Sequence, residues 1–210
     1  MSALPGPRVF IVDDEAPVRR ALSRLLRSAG LAVAAFASPE EFLAQYDRHT
    51  PGCLVLDLMM PGFDGLELQK TLDRRGSLLP IIFLTGRGDV PKSVQAMKGG
   101  AVDFLTKPIN DENLLAAIRA AIEKDGVARR EQNELSEIRA HLATLTPRER
   151  EVLEEVVTGK LNKQIADDLG IGEKTVKVHR ARVMQKMKVR SLAELVRLAG
   201  GCGIKGSSQL

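Results

Sequence analysis

Acidic, hydroxyl and basic side chains recur where short apolar runs of the N-terminal half come to an end. These residues are Asp13, Asp14, Asp57, Thr85 and Lys107. Carboxylates that lie close together resist ionisation unless a cation neutralises them. Mg²⁺ prefers oxygen ligands and keeps several waters, so the carboxylates, the backbone carbonyl of Met59 and waters would complete its octahedron. The Thr85 hydroxyl and the Lys107 ammonium suit phosphoryl oxygens, so the set predicts phosphoryl binding beside a metal.

Five apolar runs alternate with longer amphipathic stretches over the first 124 residues. The runs are residues 8–12, 31–36, 53–58, 80–85 and 101–105. Near-continuous apolar strands separated by helices predict an α/β doubly wound five-stranded parallel sheet. Ligands of such sheets bind beyond the carboxyl ends of the strands, where the polar residues converge. Helix signals agree, since Ser38 precedes a proline and two glutamates, and Gly30 and Gly76 stand where helices should end.

A simpler interpretation exists for each of these residues taken singly. An Asp at a strand end is most often a turn residue or a helix N-cap, and capping alone would explain Asp14. Five suitable residue types at the ends of the strands favour shared chemistry.

Residues 8–122 resemble the receiver domain of response regulators. The resemblance rests on Asp13-Asp14, Asp57 within LDLMMPGFDG, Thr85, Phe104 and Lys107-Pro108. It implies that Asp57 is the phosphoacceptor, and that Asp13 and Asp14 hold Mg²⁺ or Mn²⁺ together with Asp57.

The same resemblance assigns a switch. Lys107 would bind the phosphoryl group, and Thr85 would be the hydroxyl drawn toward it. Phe104 would turn into the space that Thr85 vacates. The family also has a cis peptide at the position of Lys107-Pro108, a bond type for which the cis form is accessible.

The excess of positive charge lies in the C-terminal part of the chain. Residues 1–141 hold 18 Lys and Arg against 19 Asp and Glu, whereas residues 142–210 hold 13 against 8. Seven of these cations lie between Gly172 and Arg190, against the single anion Glu173. Such a cluster indicates polyanion binding. This stretch contains no aromatic residue, which argues against base stacking with single strands.

Four helices are predicted in the same part of the chain. A capping box with Pro147 at the first helical position starts one helix, and residues 162–169 and 173–188 form two more around a turn at Gly170. Ser191 caps a fourth. In projection, the helix 173–188 turns one arc toward the core, namely Val176, Val183, Met184 and Met187. The opposite arc holds Lys174, Lys177, Val178, Ala181, Gln185 and Lys188, whose side chains suit phosphates and base edges.

Residues 143–199 resemble the LuxR-type effector domain in LTPRERE, NKQIADDLGI and TVKVHRARVMQKM, and the whole chain is similar to FixJ/NarL-type regulators. We therefore expect an all-α four-helix helix-turn-helix domain. The expected DNA contacts are Lys174, Thr175, Lys177, Val178, His179, Ala181, Arg182, Gln185 and Lys188. His179 is interpreted as a packing or phosphate contact and not as a catalyst.

Three segments are predicted: a receiver domain in residues 1–124, a helical linker in 125–142 and a DNA-binding domain in 143–210. Asp125-Gly126 is expected to break the helix that precedes the linker. A heptad-like seam follows, formed by Leu135, Ile138, Leu142 and Leu145. This seam could pair two chains as a short coiled coil or pack against the chain's own domains.

We expect a two-component response regulator and not an enzyme. A sensor histidine kinase would phosphorylate Asp57, and the phosphorylated chain would form a homodimer on promoter DNA and regulate transcription, more commonly by activation. RNA polymerase is a further candidate partner. The sequence has no apolar window of membrane-spanning length and no signal-peptide pattern, which favours the cytoplasm. Cys53 and Cys202 lie too far apart for a C-x-x-C motif.

Three alternatives remain at this point. One is a phosphorylation-independent transcription factor that uses its receiver as a dimerisation module. Another is a phosphohydrolase with an aspartyl-phosphate intermediate, but Met59 stands where haloacid-dehalogenase enzymes need a second Asp. A binding module without a DNA role would leave the C-terminal charge unexplained.

Overall fold

The computed structural model describes residues 6–60, 63–86, 90–201 and 204. Cys202 lies outside this part. The chain forms two compact units, one up to Arg129 and one from Arg130 onward. The first unit is α/β and the second is helical, as predicted.

The N-terminal unit is built on five parallel strands in the order β2-β1-β3-β6-β7. The elements are β1 (Arg8–Val12), α1 (Ala16–Ser28), β2 (Ala32–Phe36), α2 (Pro39–Gln45), β3 (Gly52–Asp57), β4 (Met59–Met60), β5 (Phe63–Asp64), α3 (Gly65–Arg74), β6 (Ile81–Thr85), α4 (Val90–Lys98), β7 (Asp103–Thr106) and the first part of α5 (Asp111–Ala143), whose residues from Arg130 onward belong to the second unit. The short strands β4 and β5 form a separate antiparallel ribbon. The five predicted strands are the strands of the sheet, with bounds that differ by at most two residues.

Alternate residues of the strands feed two apolar cores, one on each face of the sheet. Phe10 and Leu54 pack with Phe42 and Leu68 on one face, whereas Val9 and Ile11 pack with the helices α1 and α5 on the other. Strand β3 is buried along its whole length. The sequence of this central strand is a nearly continuous apolar run because both of its faces are covered.

Helix α5 continues without interruption to Ala143, so the predicted break at Asp125-Gly126 is wrong. The Asp125 carboxylate is buried in the N-terminal unit, where its Oδ2 accepts hydrogen bonds from the Gly52 N–H at 2.9 Å and from Arg129 Nε at 2.7 Å. A glycine in a helix costs about 1 kcal/mol relative to alanine. The buried, charge-assisted hydrogen bonds of Asp125 offset that cost.

The partners of Asp125 are themselves fixed. Arg129 also donates to the carbonyls of Arg48 and Thr50, at 3.0 and 2.9 Å. Gly52 has a φ of +149°, and a Cβ there would lie 1.8 Å from the Arg8 carbonyl oxygen. Only glycine therefore brings this N–H to Asp125.

The C-terminal unit contains α6 (Pro147–Val157), α7 (Asn162–Leu169), α8 (Glu173–Lys186) and α9 (Leu192–Gly201). Thr146 and Glu149 form the predicted capping box, and Gly170 ends α7 with a φ of +63°. Three seam residues, Ile138, Leu142 and Leu145, pack against the core of this unit. The structure therefore favours internal packing for most of the seam.

None of the helices in the described part of the chain is both long and apolar enough to cross a membrane.

Candidate functional site: an acid pocket and a cationic helix

An acid pocket lies at the carboxyl ends of β1 and β3. These strands are adjacent, with Val12 opposite Leu56, so Asp13 and Asp57 come side by side. Carboxylate oxygens of Asp13, Asp14 and Asp57 lie within 4.8 Å of one another. Asp13 and Asp57 are buried and Asp14 is exposed. The structure thus brings together the three carboxylates that the sequence singled out.

Lys107 reaches into this pocket from the far end of β7. Its N–H donates to the Thr85 carbonyl at 2.8 Å, and the following bond to Pro108 is cis. Its Nζ lies 2.9 Å from Asp57 Oδ2 and 3.1 Å from Asp13 Oδ2. One ammonium therefore bridges the two buried carboxylates.

The pocket shifts the pKa values of Asp57 and Lys107. Burial raises the pKa of the Asp57 carboxyl, and the hydrogen bond from Lys107 offsets part of that effect. Burial disfavours the charged form of Lys107, but its hydrogen bonds to Asp57 and Asp13 outweigh burial and raise its pKa. Lys107 is therefore fully protonated at neutral pH, whereas further positive charge nearby would stabilise the ionised form of Asp57.

The donor set fits a hard divalent cation. Asp13, Asp14 and Asp57 bring three carboxylates together and Lys107 pairs with two of them, which leaves surplus negative charge, and all the available ligand atoms are oxygens. Met59 lies beside these carboxylates, because its N–H donates to Asp57 Oδ1 at 3.3 Å. Gly65 permits a close approach as well, since a Cβ there would lie 2.7 Å from the Asp57 carbonyl oxygen.

The two predicted switch residues occupy different environments. Thr85 ends β6 and is buried, and its Oγ1 donates to the Gly86 carbonyl at 3.3 Å. Phe104, in β7, is opposite Phe83 of the neighbouring strand β6, and Phe104 is 42% exposed. Val94 and Met97 of α4 are also exposed. Phe104 is thus a surface residue in this structure and not part of the core.

Helix α8 has the two faces that its sequence predicted. Val176, Val183 and Met187 are buried, and Met184 is partly buried against the same core. All but one of the predicted DNA-contacting residues are exposed. The exposed ones are Lys174, Thr175, Lys177, Val178, Ala181, Arg182, Gln185 and Lys188. The exception, His179, is half-buried, and its Nδ1 has no hydrogen-bond partner among the described residues.

Two cations of the predicted cluster turn inward. Lys186 Nζ lies 2.6 Å from Glu149 Oε2 and 3.0 Å from the Thr144 carbonyl, and Arg180 donates to Asn162 Oδ1. The charge count therefore overstated the number of cations available to a polyanion.

Sequence reasoning missed the partner of Lys186. Hydrogen bonds from Lys186 and from the Thr146 backbone lower the pKa of Glu149 to about 2. The capping motif identified Glu149 as a structural residue, but Lys186 follows it by 37 positions and no local pattern joins the two.

Two family models match the chain. The receiver domain of response regulators matches residues 9–119, and the luxR family of bacterial regulatory proteins matches residues 143–199.

Named relatives match over most of the chain. Nodulation protein W of Bradyrhizobium diazoefficiens is 47% identical over 199 residues, covering 95% of this chain and 88% of that protein. The transcriptional regulatory protein FixJ of Rhizobium meliloti is 49% identical over 197 residues, covering 93% and 97%. The response regulator protein TodT of Pseudomonas putida is 47% identical over 190 residues, covering 90% and 84%.

Two solved structures also align with most of this chain. The response regulator StyR aligns with a TM-score of 0.85 at 45% identity, covering 92% of this chain and 98% of that one. Full-length FixJ from B. japonicum aligns with a TM-score of 0.58 at 44% identity, covering 95% and 98%.

Proposed function

Since the chain belongs to the FixJ type of response regulators, which join a receiver domain to a LuxR-type DNA-binding domain, we propose that phosphorylation of Asp57 controls promoter binding through α8. The observation that carries the proposal is the contact of one ammonium, Lys107 Nζ, with both Asp57 and Asp13 beside a third carboxylate. This arrangement suits phosphoryl transfer to a carboxylate, because positioning and charge neutralisation supply most of the catalysis.

The proposed donor is a sensor histidine kinase. A carboxylate oxygen of Asp57 attacks phosphorus, the bond from phosphorus to the donor's histidine nitrogen breaks, and that nitrogen keeps the electron pair. The product is an acyl phosphate on Asp57. Lys107 pairs with phosphoryl oxygens, and the Thr85 hydroxyl donates to another.

Asp13, Asp14, Asp57 and the Met59 carbonyl would hold Mg²⁺ or Mn²⁺. The metal, when bound, neutralises charge on the phosphoryl oxygens. The donor set supports this assignment because carboxylate oxygens outnumber the cations that face them.

Dimerisation is the proposed output of the receiver. Val94, Met97 and Phe104 expose apolar side chains on α4 and β7, and a phosphoryl group that draws Thr85 inward would change how Phe104 packs. Such a change shifts a two-state equilibrium only as far as the phosphoryl group interacts better with one state.

Helix α8 is the proposed recognition element for double-stranded promoter DNA. Two copies of the chain would read half-sites about 10 bp apart, one helical turn of DNA. We propose activation of transcription as the outcome, with RNA polymerase as a further partner. A promoter-binding regulator of this type acts in the cytoplasm.

The rival function is a transcription factor whose DNA binding ignores phosphorylation. Capture of genomic DNA fragments by the full-length chain, with and without acetyl phosphate and Mg²⁺, separates the two. We expect phosphodonor to enrich specific fragments with the wild-type chain and to have no effect with Asp57→Asn. Equal enrichment with and without phosphodonor would support the rival.

A further inference from the structure

Helix α8 ends in a turn that places Lys188 in the left-handed region of backbone conformation, with a φ of +55°. Two hydrogen bonds close the turn. The Lys188 N–H donates to the Gln185 carbonyl at 3.2 Å, and the Val189 N–H donates to the Met184 carbonyl at 3.1 Å. This pair of bonds defines a Schellman motif, whose left-handed position favours glycine because a Cβ is disfavoured there.

Other helices of this chain follow that preference. The same pair of hydrogen bonds ends α1, α3, α4 and α7, and the left-handed residue in each of these turns is a glycine. These glycines are Gly30, Gly76, Gly100 and Gly170, with φ values between +63° and +87°. Within the described ranges, Lys188 is the only residue other than glycine that has a positive φ. The exception therefore lies at the end of the helix that we propose to contact DNA.

The residues on either side of Lys188 fix its backbone. Val189 is buried, and Met184 and Met187 pack in the same apolar core of the C-terminal unit. Apolar contact across a Schellman turn commonly accompanies the motif. Rotation of Lys188 out of the left-handed region would break both hydrogen bonds and withdraw Val189 from that core. The lysine is therefore held in a strained conformation by its neighbours.

The Lys188 side chain does not offset this strain within the chain. It is exposed and has no hydrogen-bond or ion-pair partner among the described residues. A cation at a helix C-terminus interacts favourably with the helix dipole, but Lys186 already places a positive charge in the last turn of α8. Glycine would form the same backbone bonds without the strain. A strained residue with an unpaired, exposed charge points to a partner outside the chain.

The position of Lys188 indicates which group that partner presents. Lys188 follows Ala181 and Gln185 of the exposed face at intervals of 4 and 3 residues. Lys174 and Lys188 are 14 positions apart, or about 21 Å along a helix, whereas the major groove of DNA is about 12 Å wide. A helix that reads base edges with its central residues therefore brings its end residues to the sugar-phosphate backbone, where an ammonium pairs with phosphate.

We infer that Lys188 is a DNA-phosphate contact that the chain retains although it lowers stability: a lysine stands where the turn favours glycine, because its ammonium pairs with a phosphate beside the bases that α8 reads. This role rests on the proposed function, since its ligand is the duplex DNA to which we propose that α8 binds. Replacing Lys188 by glycine should therefore raise the stability of the C-terminal unit and lower its affinity for DNA.

Amide hydrogen exchange by NMR on the full-length chain measures the stability. The amides of Val152 and Val183 lie inside α6 and α8, and both residues are buried in the core, so their exchange requires a large opening of the unit. Lys188→Gly should slow exchange at both amides by about twofold to fivefold. Gly170→Lys is the reciprocal change in the same turn of α7, with open space around the added Cβ, and should speed exchange by a similar factor.

Titrations with acetyl phosphate and Mg²⁺ present measure the affinity for two duplexes, one recovered in the genomic capture and one of random sequence. Lys188→Gly should weaken binding to both by a similar factor of about two to five. It should also reduce the slope of log affinity against log salt concentration by about 0.9 for each bound copy.

Three further variants separate charge from strain. Lys188→Gln should lose the same affinity as Lys188→Gly without the gain in stability, because it removes the charge but keeps a Cβ in the left-handed region. Lys188→Arg should restore the affinity that Lys188→Gln loses. Lys98→Gln removes an exposed lysine of α4 and should change neither the affinity nor the exchange rates.

The two measurements together decide the inference. Unchanged DNA affinity in Lys188→Gly would show that the lysine makes no DNA contact, and unchanged or faster exchange would show that the turn carries no strain for glycine to relieve. A loss of affinity confined to the captured duplex would place Lys188 on a base edge. Each of these results overturns the inference while the proposed function stands. A wild-type chain that binds neither duplex contradicts the proposed function itself, and the role of Lys188 with it.

Discussion

Charge is organised in opposite ways in the acid pocket and on α8. In the pocket, two buried carboxylates converge on one ammonium, so every charged group depends on its neighbours. On α8 and just after it, the side chains of Lys174, Arg182 and Lys188 are exposed, and they have no hydrogen-bond or ion-pair partner in the described part of the chain. The interactions between the buried charges of the pocket depend on each residue and are little affected by salt. The exposed charges of α8 act together on a polyanion, and salt screens them.

The largest effect should come from the phosphoacceptor. Asp57→Asn should abolish Mg²⁺-dependent labelling by acetyl phosphate, since an amide is not a nucleophile for phosphorus. Asp73→Asn, an exposed aspartate of α3, is the matched control and should label normally. Label on the Asp57→Asn chain that resists acid and hydroxylamine would contradict an acyl phosphate.

The next largest effect should come from removing the ammonium that Asp13 and Asp57 share, and it should appear in the free energy of unfolding. Lys107→Met leaves Asp13 and Asp57 buried without their cation, and we expect it to lower the free energy of unfolding by about 2 kcal/mol, with Mg²⁺ restoring part. Tyr46 is the single tyrosine of a chain without tryptophan and packs on Phe10 and Phe42, so its fluorescence in urea reports the N-terminal unit.

The matched control for this experiment is Lys98→Met, which removes an exposed lysine of α4. If both variants unfold at the wild-type urea concentration, the carboxylates do not depend on Lys107. That result would contradict the contrast between interdependent charges in the pocket and independent charges on α8.

On α8, single substitutions should have smaller effects that depend on the DNA sequence. Lys177→Ala and Val178→Ala should weaken specific binding by about tenfold and non-specific binding less, because base contacts carry specificity. Arg182→Ala should weaken both by a similar factor of about two to three and reduce the salt dependence. Titrations of specific and random duplexes at several salt concentrations measure this, and equal losses for all three variants would make them all backbone contacts.

A small effect is also expected in the C-terminal unit at Glu149, a buried carboxylate that pairs with a lysine as Asp57 does in the pocket. The pKa of Glu149 is lowered to about 2 by Lys186 and the Thr146 backbone, so its charge stabilises the fold above pH 4.5 and this contribution is lost as the pH falls toward 2. Glu149→Gln keeps the cap but removes the charge, and should lower stability by about 1 kcal/mol at pH 7.

Urea titrations followed by NMR signals of α6 at pH 7 and at low pH provide the measurement. The difference between Glu149→Gln and wild type should vanish as the pH approaches 2, and Glu154→Gln should show no such difference. A difference that persists at low pH would point to packing and not to charge.

The sequence predicted what depends on local pattern. Apolar runs located the five strands within two residues, and their ends located the acid pocket, because parallel strands bring their carboxyl ends to one edge. The capping box at Thr146 and the buried face of α8 followed from short-range spacing in the same way.

What the sequence did not predict depends on partners that are distant along the chain. Asp125 bonds to Gly52 across 73 positions, and that contact keeps a helix intact where Asp-Gly alone indicates a break. Lys186 bonds to Glu149 across 37 positions, so the charge count included a cation that is paired within the domain. In both cases a tertiary hydrogen bond outweighed the local preference.

The burial of Asp125 also bears on the chemical ageing of the chain. Aspartyl-glycyl bonds isomerise when the glycine nitrogen attacks the side-chain carboxyl, a reaction that needs a mobile backbone and a free carboxyl group. At Asp125 the backbone is helical and the carboxylate is engaged by Gly52 and Arg129. Isoaspartate should therefore accumulate at residue 125 on storage only after Arg129 is replaced, which peptide mapping by mass spectrometry would detect.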